Sequence, residues 1–565
     1  MRILLLTHAF NSLTQRLGAE LRQRGHLVSV EFDISDSVTE EAASLFAPDL
    51  IVAPYLRRAI PESVWQHTVC LIVHPGLEGD RGPSALDWAI MNQRTAWGVT
   101  VLQAESEMDA GPVWASANFA MRAASKASLY RNETTQAATA AVLQAVEHFT
   151  AGNFVPQRKS SSQWQPLIKQ ADRVINWQRD DTASVLRKIN AADGFPGVAD
   201  TLFDQPCHLF DAWPEATLRG APGVVIAQRE TALLRATVDG AVWLGHVKRT
   251  GSIKLPATLA FAQEAATVPH APLPDWWRAP APTWQDIAYE EAGDVGYLHF
   301  EFYNGAMSTR QCERLRTALL WAQQRPTRVL VLLGGHDFWS NGIHLNVIEA
   351  ASLNGGSAAD ESWRNINAMN DLALAFITTT QQITVAAIGG NTGAGGCFLA
   401  RAADQVWVRD GVMLNPHYKN MGNLYGSEYW TYLLPRRVGP EAAQAIMHNR
   451  QPLTAQGALQ IGLTDACLSG DVAAFRAEIA SMATRLANAP ALPEQLAAKA
   501  EARASDEAAK PLSAYRDEEM AHMHRNFYGF DSSYHIARHH FVQKSLASWT
   551  PRHLALHREL GWKLP

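Results

Sequence analysis

The stretch CLIVHPGLEGDRGPSALDWAI, Cys70 to Ile90, places a short apolar run before a turn rich in glycine and proline and an amphipathic segment. This order predicts a buried strand, a loop and a helix. The apolar runs RILLLT, LVSVEF and DLIVAPYL precede it and GVTVLQA follows, with helical segments between them. Residues 1–155 are therefore predicted to form an α/β domain with a mostly parallel sheet, whose loops bind ligand at the carboxyl ends of the strands.

Two residues with acid–base chemistry follow strands of this sheet. His74 lies just past the strand of the opening stretch, and Asp109 precedes Gly111 in AESEMDAGPVWAS. If both loops leave the same edge of a parallel sheet, the two side chains converge. A carboxylate that orients an imidazole supports proton transfer or stabilises an oxyanion. A turn histidine and a helix-capping aspartate would explain the same pattern without any chemistry.

The pattern H-P-G-x-x-G-x-R-G, followed by a GVT strand and D-x-G, resembles the 10-formyltetrahydrofolate-dependent formyltransferases. That family uses an Asn, a His and an Asp to move a formyl group from folate to a nucleophile. The resemblance implies a Rossmann-like domain, catalytic roles for His74 and Asp109, and a folate site that includes Ile72 and Gly111. The family's Asn corresponds to Ile72 here, so one polar contact to the formyl group is missing. A better nucleophile than an amine, such as a thiol, would compensate.

A second domain is predicted at residues 167–265, after the polar linker PQRKSSSQWQP. It contains one helical segment, TASVLRKINAAD, and several short strands such as GVVIAQ. These segments are similar to the small β-barrel-like domain that follows the catalytic domain of methionyl-tRNA formyltransferase. A second linker, with five prolines between Pro269 and Pro282, would be extended and semi-rigid.

A third domain is predicted at residues 284–495. Its segments VLVLLGGHDFWSNGIHLNVIEA and AAIGGNTGAGGCFLARAAD each join a strand to a glycine-containing turn, which lets backbone N–H groups approach a ligand closely. A phosphate-binding loop or a simple packing turn would show the same pattern. With PLTAQGALQIGLTDACL, they resemble the crotonase (enoyl-CoA hydratase/isomerase) family. The resemblance implies a thioester pocket whose oxyanion hole is formed by the amides of Ile343 and Gly395.

The crotonase pattern is altered at its catalytic positions. Hydratases carry glutamates where this chain has Phe398 and His417, so hydration of an enoyl thioester lacks its acid–base pair. The stretch NPHYKNMGNLYGSEYW, Asn415 to Trp430, offers Tyr418 and Glu428 instead. We expect both to face the thioester. The alternative is a packed tyrosine with a satisfied hydroxyl and a surface or helix-capping glutamate.

Residues 496–565 are predicted to form a helical tail with many aromatic, basic and histidine residues. Arg538 and Lys544 lie beside aromatic side chains and are candidates for binding the phosphates of coenzyme A (CoA), although a solvated basic helix face would look the same. The complete arrangement resembles the HypX (HoxX) family of hydrogenase maturation factors.

That resemblance implies carbon monoxide synthesis for nickel–iron hydrogenase, with 10-formyltetrahydrofolate and CoA as cofactors and formyl-CoA as the intermediate. The implied partners are small-molecule substrates and either hydrogenase maturation proteins or the hydrogenase large subunit. Two alternatives remain open. The first is a formyltransferase or formyl-CoA hydrolase that releases formate, and the second is a non-catalytic CoA-binding maturation scaffold.

Composition narrows the class of protein. The 565 residues carry a net charge of −6 and are 47% hydrophobic, which is typical of a multidomain globular protein and argues against general nucleic-acid binding. Five cysteines are scattered without metal-ligand spacing, so we expect no metal site, no disulfide framework and a cytoplasmic location. No apolar run reaches the roughly 18 residues of a membrane span.

Overall fold

The computed structural model describes residues 1–158, 163–272 and 275–560. Residues 159–162 of the first predicted linker, 273–274 of the second and 561–565 of the predicted tail lie outside the described residues. The fold is a multidomain α/β arrangement, as the sequence predicted. No helix in the described ranges combines the length and hydropathy that crossing a bilayer requires.

The N-terminal part of the chain builds one six-stranded sheet in the order β2-β1-β3-β4-β6-β7. Helices α1 and α6 cover one face, and α2 and α3 cover the other, so the first strands are apolar along their whole length. The elements are β1 (Arg2–Thr7), α1 (Ser12–Gln23), β2 (Leu27–Phe32), α2 (Asp36–Phe46), β3 (Leu50–Tyr55), α3 (Glu62–Trp65), β4 (Cys70–His74), β5 (Asp80–Arg81), α4 (Ala85–Met91), β6 (Ala96–Gln103), β7 (Val113–Ala120), α5 (Lys126–Leu129), a π-helical turn (Tyr130–Thr134), α6 (Thr135–Ala151) and β8 (Gln163–Trp164).

Strands β1 to β4 are parallel, but β6 is antiparallel to β4. Leu71 pairs with Gln103 and His74 pairs with Thr100. The loop that carries Asp109 therefore starts at the opposite end of β4 from His74. The prediction that both loops leave one edge of a parallel sheet is wrong on this point, because alternation of apolar residues does not encode strand direction.

The second part of the chain forms an antiparallel sheet in the order β11-β12-β13-β10-β9, with β14 paired to β13. Helix α7 packs on this sheet through Val185 and Ile189. The elements are a 3-10 turn (Gln170–Arg173), α7 (Thr182–Ala192), β9 (Val198–Leu202), β10 (Gln205–Glu215), β11 (Val225–Arg229), β12 (Ala232–Ala236), β13 (Ala241–Arg249), β14 (Lys254–Pro256), α8 (Ala257–Ala260) and α9 (Ala262–Ala265).

The third part contains two sheets, β15-β16-β17-β19-β21-β24 and the smaller β18-β20-β22-β23. The smaller sheet carries the turns of the candidate thioester pocket. The elements are β15 (Ile287–Ala292), β16 (Val295–Phe300), a 3-10 turn (Tyr303–Gly305), α10 (Thr309–Ala322), β17 (Val329–Leu333), β18 (Phe338–Ser340), α11 (Leu345–Leu353), α12 (Ala358–Ile377), β19 (Ile383–Ile388), β20 (Asn391–Gly393), α13 (Gly395–Arg401), β21 (Gln405–Arg409), β22 (Met413–Asn415), α14 (Trp430–Val438), α15 (Pro440–Asn449), β23 (Leu453–Thr454), α16 (Ala455–Gln460), β24 (Ala466–Leu468) and α17 (Val472–Ala487).

The C-terminal helices are α18 (Leu492–Ala509), α19 (Leu512–Tyr528), α20 (Ser533–Gln543) and α21 (Leu556–Leu560). Helix α19 does not stand apart from the third sheet region, because Met520, Met523 and Phe527 belong to its hydrophobic core. The predicted boundaries of the four domains stay a prediction.

The last described segment returns to the N-terminal sheet and covers its edge strand, β2. The N–H of Val30 donates to the carbonyl of Leu554 over 3.0 Å. The imidazole of His557 is buried at this contact. Its Nε2 lies 2.8 Å from Glu31 Oε2, and its Nδ1 lies 2.7 Å from Ser29 Oγ. A buried polar network thus joins α21 to β2.

Candidate active sites

His74 is the last residue of β4, and its imidazole lies between two carboxylates. Its Nε2 is 2.9 Å from Asp80 Oδ2, and its Nδ1 is 3.6 Å from Asp109 Oδ2. The first distance is that of a hydrogen bond, and the second is slightly too long for one. An imidazole that is hydrogen-bonded to one carboxylate and close to a second is suited to handling a proton.

Asp80 is a site residue that the sequence interpretation missed. It lies in the opening stretch, six residues after His74, in the D-R-G turn that forms β5. The next residue, Arg81, donates to the carbonyl of Met108 over 2.7 Å, and the N–H of Gly82 donates to Asp109 Oδ2 over 3.1 Å. The β5 segment therefore holds the Asp109 loop against His74. The local sequence offers no signal for this, because the contact crosses from one loop to another.

The two residues expected at the folate site have different surroundings. Ile72 pairs with Ala53 and Leu102 in the sheet, and its side chain packs against the apolar core under α2. It supplies no polar atom near His74. A Cβ on Gly111 would lie 1.8 Å from the carbonyl oxygen of Gln103, so the tight passage of the chain requires a glycine there. The expected folate contacts of both residues remain predictions.

The two amides expected to form the oxyanion hole lie on adjacent turns. A Cβ on Gly342, which has φ +80°, would lie 3.4 Å from the backbone nitrogen of Gly395. Gly395 is the first residue of α13, so its N–H has no partner within the helix. Among the described residues, the N–H groups of Ile343 and Gly395 donate to no other group. Two free N–H donors on neighbouring turns are the geometry that a thioester carbonyl needs.

Glu428 faces this pair of turns from within the core. It is 1% exposed, and a Cβ on Gly395 would lie 2.8 Å from its Oε1. Burial raises the pKa of the Glu428 carboxyl to about 7. The Tyr418 hydroxyl donates to Glu428 Oε2 and lies 3.0 Å from the carbonyl of Ser427. The structure thus brings Gly395, Tyr418 and Glu428 together. It excludes the alternative in which Glu428 is a surface carboxylate.

The two positions where hydratases carry glutamates hold different groups. The Phe398 ring stacks on the ring of Tyr418, with centroids 5.4 Å apart. His417 is buried, and neither of its ring nitrogens has a hydrogen-bond partner among the described residues. Burial lowers the pKa of His417 to about 4, so its imidazole is neutral at physiological pH. Neither residue replaces a carboxylate, and the buried carboxyl that lies beside Gly395 is that of Glu428.

The backbone at Glu428 is fixed by hydrogen bonds to side chains from other parts of the chain. Glu428 and Tyr429 have φ values of 60° and 59°, in the left-handed region that non-glycine residues rarely adopt. The N–H of Glu428 donates to Asn370 Oδ1 over 2.8 Å, and the N–H of Tyr429 donates to Glu519 Oε2 over 3.0 Å. Glu519 is completely buried, and burial raises its pKa to about 8, with a further contribution from the charge of Glu428.

The two candidates for CoA binding occupy unlike positions. Arg538 is 5% exposed, and its Nε donates to Glu349 Oε2 over 2.8 Å. Its guanidinium is therefore already paired inside the protein. Lys544 is exposed at the end of α20. Partial desolvation and the positive charges of Arg131, Lys248 and Arg57 lower its pKa, so Lys544 belongs to a cluster of cations.

The N-terminal domain contacts the turn that leads to Ile343. Asp337, just before β18, accepts hydrogen bonds from Ser128 Oγ at 2.6 Å, Arg131 Nη1 at 3.0 Å and Asn132 Nδ2 at 3.0 Å. Arg131 lies in the π-helical turn, an irregularity that is frequent at functional sites. Its Nη2 also donates to Asn304 Oδ1 over 3.0 Å. The N-terminal part of the chain is thus in direct contact with the turn that precedes Ile343.

Three family models match consecutive parts of the chain. Formyl transferase matches residues 20–146, the formyl transferase C-terminal domain matches 167–264, and enoyl-CoA hydratase/isomerase matches 301–552. A methionyl-tRNA formyltransferase of Aromatoleum aromaticum is 27% identical over 239 residues, which is 41% of this chain and 75% of that protein. The fold and these matches define a chain in which formyltransferase-type domains are fused to an enoyl-CoA hydratase/isomerase-like (crotonase-like) domain.

Two relatives span the complete arrangement. The hydrogenase maturation factor HoxX of Bradyrhizobium diazoefficiens is 55% identical over 564 residues, covering 99% of this chain and 97% of that protein. The crystal structure of HypX from Aquifex aeolicus in complex with tetrahydrofolic acid has a TM-score of 0.97 at 47% identity, with 100% of both chains covered. The chain belongs to the HypX (HoxX) family of hydrogenase maturation factors, which confirms the resemblance seen in the sequence. Both domain types are enzyme folds and support an enzymatic role.

Proposed function

We propose that this protein makes carbon monoxide for hydrogenase maturation in two steps. A formyl group passes from 10-formyltetrahydrofolate to CoA at His74, and the resulting formyl-CoA is decarbonylated at Glu428. The observation that carries the proposal is the buried Glu428 carboxyl beside Gly395, in a thioester pocket that has lost both hydratase glutamates. Membership of the HypX family supports the same interpretation.

The first step exchanges a carbon–nitrogen bond for a carbon–sulfur bond. The CoA thiol attacks the formyl carbon, the bond to folate nitrogen breaks, and the thiol proton ends on that nitrogen. His74 is placed to carry this proton, because Asp80 orients its Nε2 and the Asp109 carboxylate lies 3.6 Å from its Nδ1. A thiol acceptor needs less activation than an amine, which fits the apolar side chain at Ile72. Tetrahydrofolate bound to the HypX relative supports folate as the donor.

The second step breaks the carbon–hydrogen and carbon–sulfur bonds of formyl-CoA and forms the sulfur–hydrogen bond of CoA. The net reaction is formyl-CoA to carbon monoxide and CoA, with no oxidant or reductant required. The N–H groups of Ile343 and Gly395 polarise the carbonyl. Glu428 takes the formyl hydrogen as a proton and returns it to the departing sulfur, while Tyr418 holds the carboxylate in place. A carboxyl with a pKa of about 7 is well matched to both transfers.

The cation cluster around Lys544 is the proposed site for the phosphates of CoA. Arg57, Arg131 and Lys248 contribute positive charge to it, and a phosphate would relieve their mutual repulsion. Arg131 belongs to the N-terminal part of the chain, and it also contacts Asp337 and Asn304 of the crotonase-like part. The cluster therefore lies against both of these parts. Arg538 is proposed to support α11 through Glu349 rather than to contact CoA directly.

Product analysis tests this function. Purified protein is given 10-formyltetrahydrofolate and CoA, and the gas phase is assayed for carbon monoxide and the solution for formate. We expect carbon monoxide, whereas formate alone would identify a transferase or hydrolase, and neither product would identify a scaffold. The His74→Ala variant should lose carbon monoxide from folate but still release it from supplied formyl-CoA. Hydrogenase maturation proteins or the hydrogenase large subunit as partners, and a cytoplasmic location, remain predictions.

A further inference from the structure

Helix α19 runs along the segment that carries Glu428 and accepts hydrogen bonds from its backbone. The N–H of Tyr425 donates to Asn526 Oδ1 over 3.0 Å, and the N–H of Gly426 donates to Met523 Sδ over 3.2 Å. Further on, Glu519 Oε2 accepts the N–H of Tyr429 at 3.0 Å. Spacings of three and four place these acceptors on one face of the helix.

Glu519 makes the densest of these contacts. Besides the N–H of Tyr429, its carboxylate accepts the N–H of Thr431 at 2.9 Å and the Thr431 hydroxyl at 2.6 Å. These partners all lie within three residues of Glu428. On the other side, Asn370 from α12 accepts the N–H of Glu428 itself and donates to the sulfur of Met520, the neighbour of Glu519. The acceptors from α12 and α19 therefore act on the same short segment.

This arrangement explains how two consecutive left-handed residues persist. A non-glycine residue in the left-handed region is sterically unfavourable, and it persists only where surrounding contacts determine it. Glu428 and Tyr429 lack the conformational freedom of glycine, so the hydrogen bonds to Asn370 and Glu519 fix their backbone. Because the backbone dihedrals set the direction of the Cα–Cβ bond, these contacts aim the Glu428 side chain, whose carboxylate the Tyr418 hydroxyl then holds.

We propose that Glu519 is a positioning residue for decarbonylation: it holds the 428–431 backbone so that the Glu428 carboxylate faces the thioester pocket at Gly395. The inference rests on the proposed function of Glu428. The inference gives α19 a role in decarbonylation and none in formyl transfer, because α19 makes no hydrogen bond to the described residues around His74. A displacement of about 1 Å at a reacting group is enough to reduce a rate on the order of 100-fold.

The test measures carbon monoxide release from supplied formyl-CoA in Glu519→Ala and Glu519→Gln variants. We expect kcat to fall on the order of 10- to 100-fold in Glu519→Ala, with KM within about twofold of the wild type. Glu519→Gln keeps one acceptor oxygen and should lose less. The matched control is Glu518→Gln, the same change one residue away, at an exposed carboxylate paired with Lys510. Formyl transfer from folate to CoA should be unchanged in all three.

The possible failures are distinguishable. If the wild type releases no carbon monoxide from formyl-CoA, the proposed function is wrong, and if Glu428→Gln releases it as fast as the wild type, the role proposed for Glu428 is wrong. If Glu428→Gln is inactive but Glu519→Ala keeps kcat within about twofold, only the positioning inference is wrong. A raised KM with unchanged kcat would also overturn it, because the contacts would then shape the pocket and not the carboxylate. Should Glu519→Ala not fold, Glu519→Leu decides in the same assay, because it fills the same space but removes the acceptor for the N–H groups of Tyr429 and Thr431.

Discussion

Gly395 and Glu428 are so close that a Cβ on the glycine would lie 2.8 Å from the carboxylate Oε1. Gly395→Ala should therefore displace the carboxylate and narrow the oxyanion hole together. We expect carbon monoxide release from formyl-CoA to fall by about 100-fold or more, on the scale of losing an oxyanion donor. Gly393→Ala is the control, because a Cβ there meets nothing nearer than 3.4 Å. Equal activity of the two variants would contradict the placement of Glu428.

The pH dependence of the second step should report Glu428. Burial raises the pKa of its carboxyl from 4.5 to about 7, and the ionised form is the proton acceptor, so kcat from formyl-CoA should rise with pH and reach half its maximum near pH 7. Glu428→Gln should be slow and lose this rise. A wild-type profile that falls across the same range would mean that the protonated form is required.

Asp80 should be needed for formyl transfer. Asp80 accepts a hydrogen bond from His74 at 2.9 Å, while Asp109 is 3.6 Å from the other nitrogen. We expect Asp80→Asn to reduce transfer by about 100-fold or more, because an amide no longer fixes the tautomer. Release of tetrahydrofolate measures the rate. Glu62→Gln, at an exposed position of α3, is the control. Full activity of Asp80→Asn would mean that Asp80 only contributes to packing.

Replacing Lys544 by alanine should affect CoA binding, whereas replacing Arg538 by alanine should affect stability. Lys544→Ala should raise the KM for CoA about fivefold to tenfold, more at low salt, with unchanged stability, because it removes one exposed positive charge from the cluster. Arg538→Ala should instead lower the free energy of unfolding by about 3 kcal/mol, since Glu349 would lose its buried partner. Lys169→Ala, at an exposed position, is the surface control. The reverse pattern would restore Arg538 as the CoA ligand.

The buried contact between α21 and β2 should be important for stability. His557 and Glu31 are both completely buried, and their atoms lie 2.8 Å apart. His557→Ala should lower the free energy of unfolding of the N-terminal domain by about 3 kcal/mol. The hydrogen bonds of Glu31 lower its pKa below 4.5, so this stabilisation should be complete above pH 4.5 and disappear as pH falls further. Limited proteolysis and urea unfolding measure the change, with exposed His540→Ala as control.

Much of the fold was predictable from local patterns. The apolar runs correspond to β1 to β4, and TASVLRKINAAD became α7 with Asp181 as its N-cap. The direction of β6 was not predictable, because side-chain alternation is the same in parallel and antiparallel strands. Asp80 was missed because a D-R-G turn has no distinguishing local feature. Glu519 was missed because its role depends on partners 88 and 90 residues away in the chain.

The sequence by itself determined the family, the Rossmann-like and crotonase-like folds, and the candidate residues His74, Asp109, Tyr418 and Glu428, because glycine turns and strand-end motifs are local patterns. Only the tertiary structure decided that Asp80 faces His74, that Arg538 is paired with Glu349, and that α19 holds the Glu428 segment. The physical reason is that burial, charge and hydrogen bonding depend on neighbours in space. A carboxyl acquires a pKa near 7 from the groups that exclude water around it, and those groups come from distant parts of the chain.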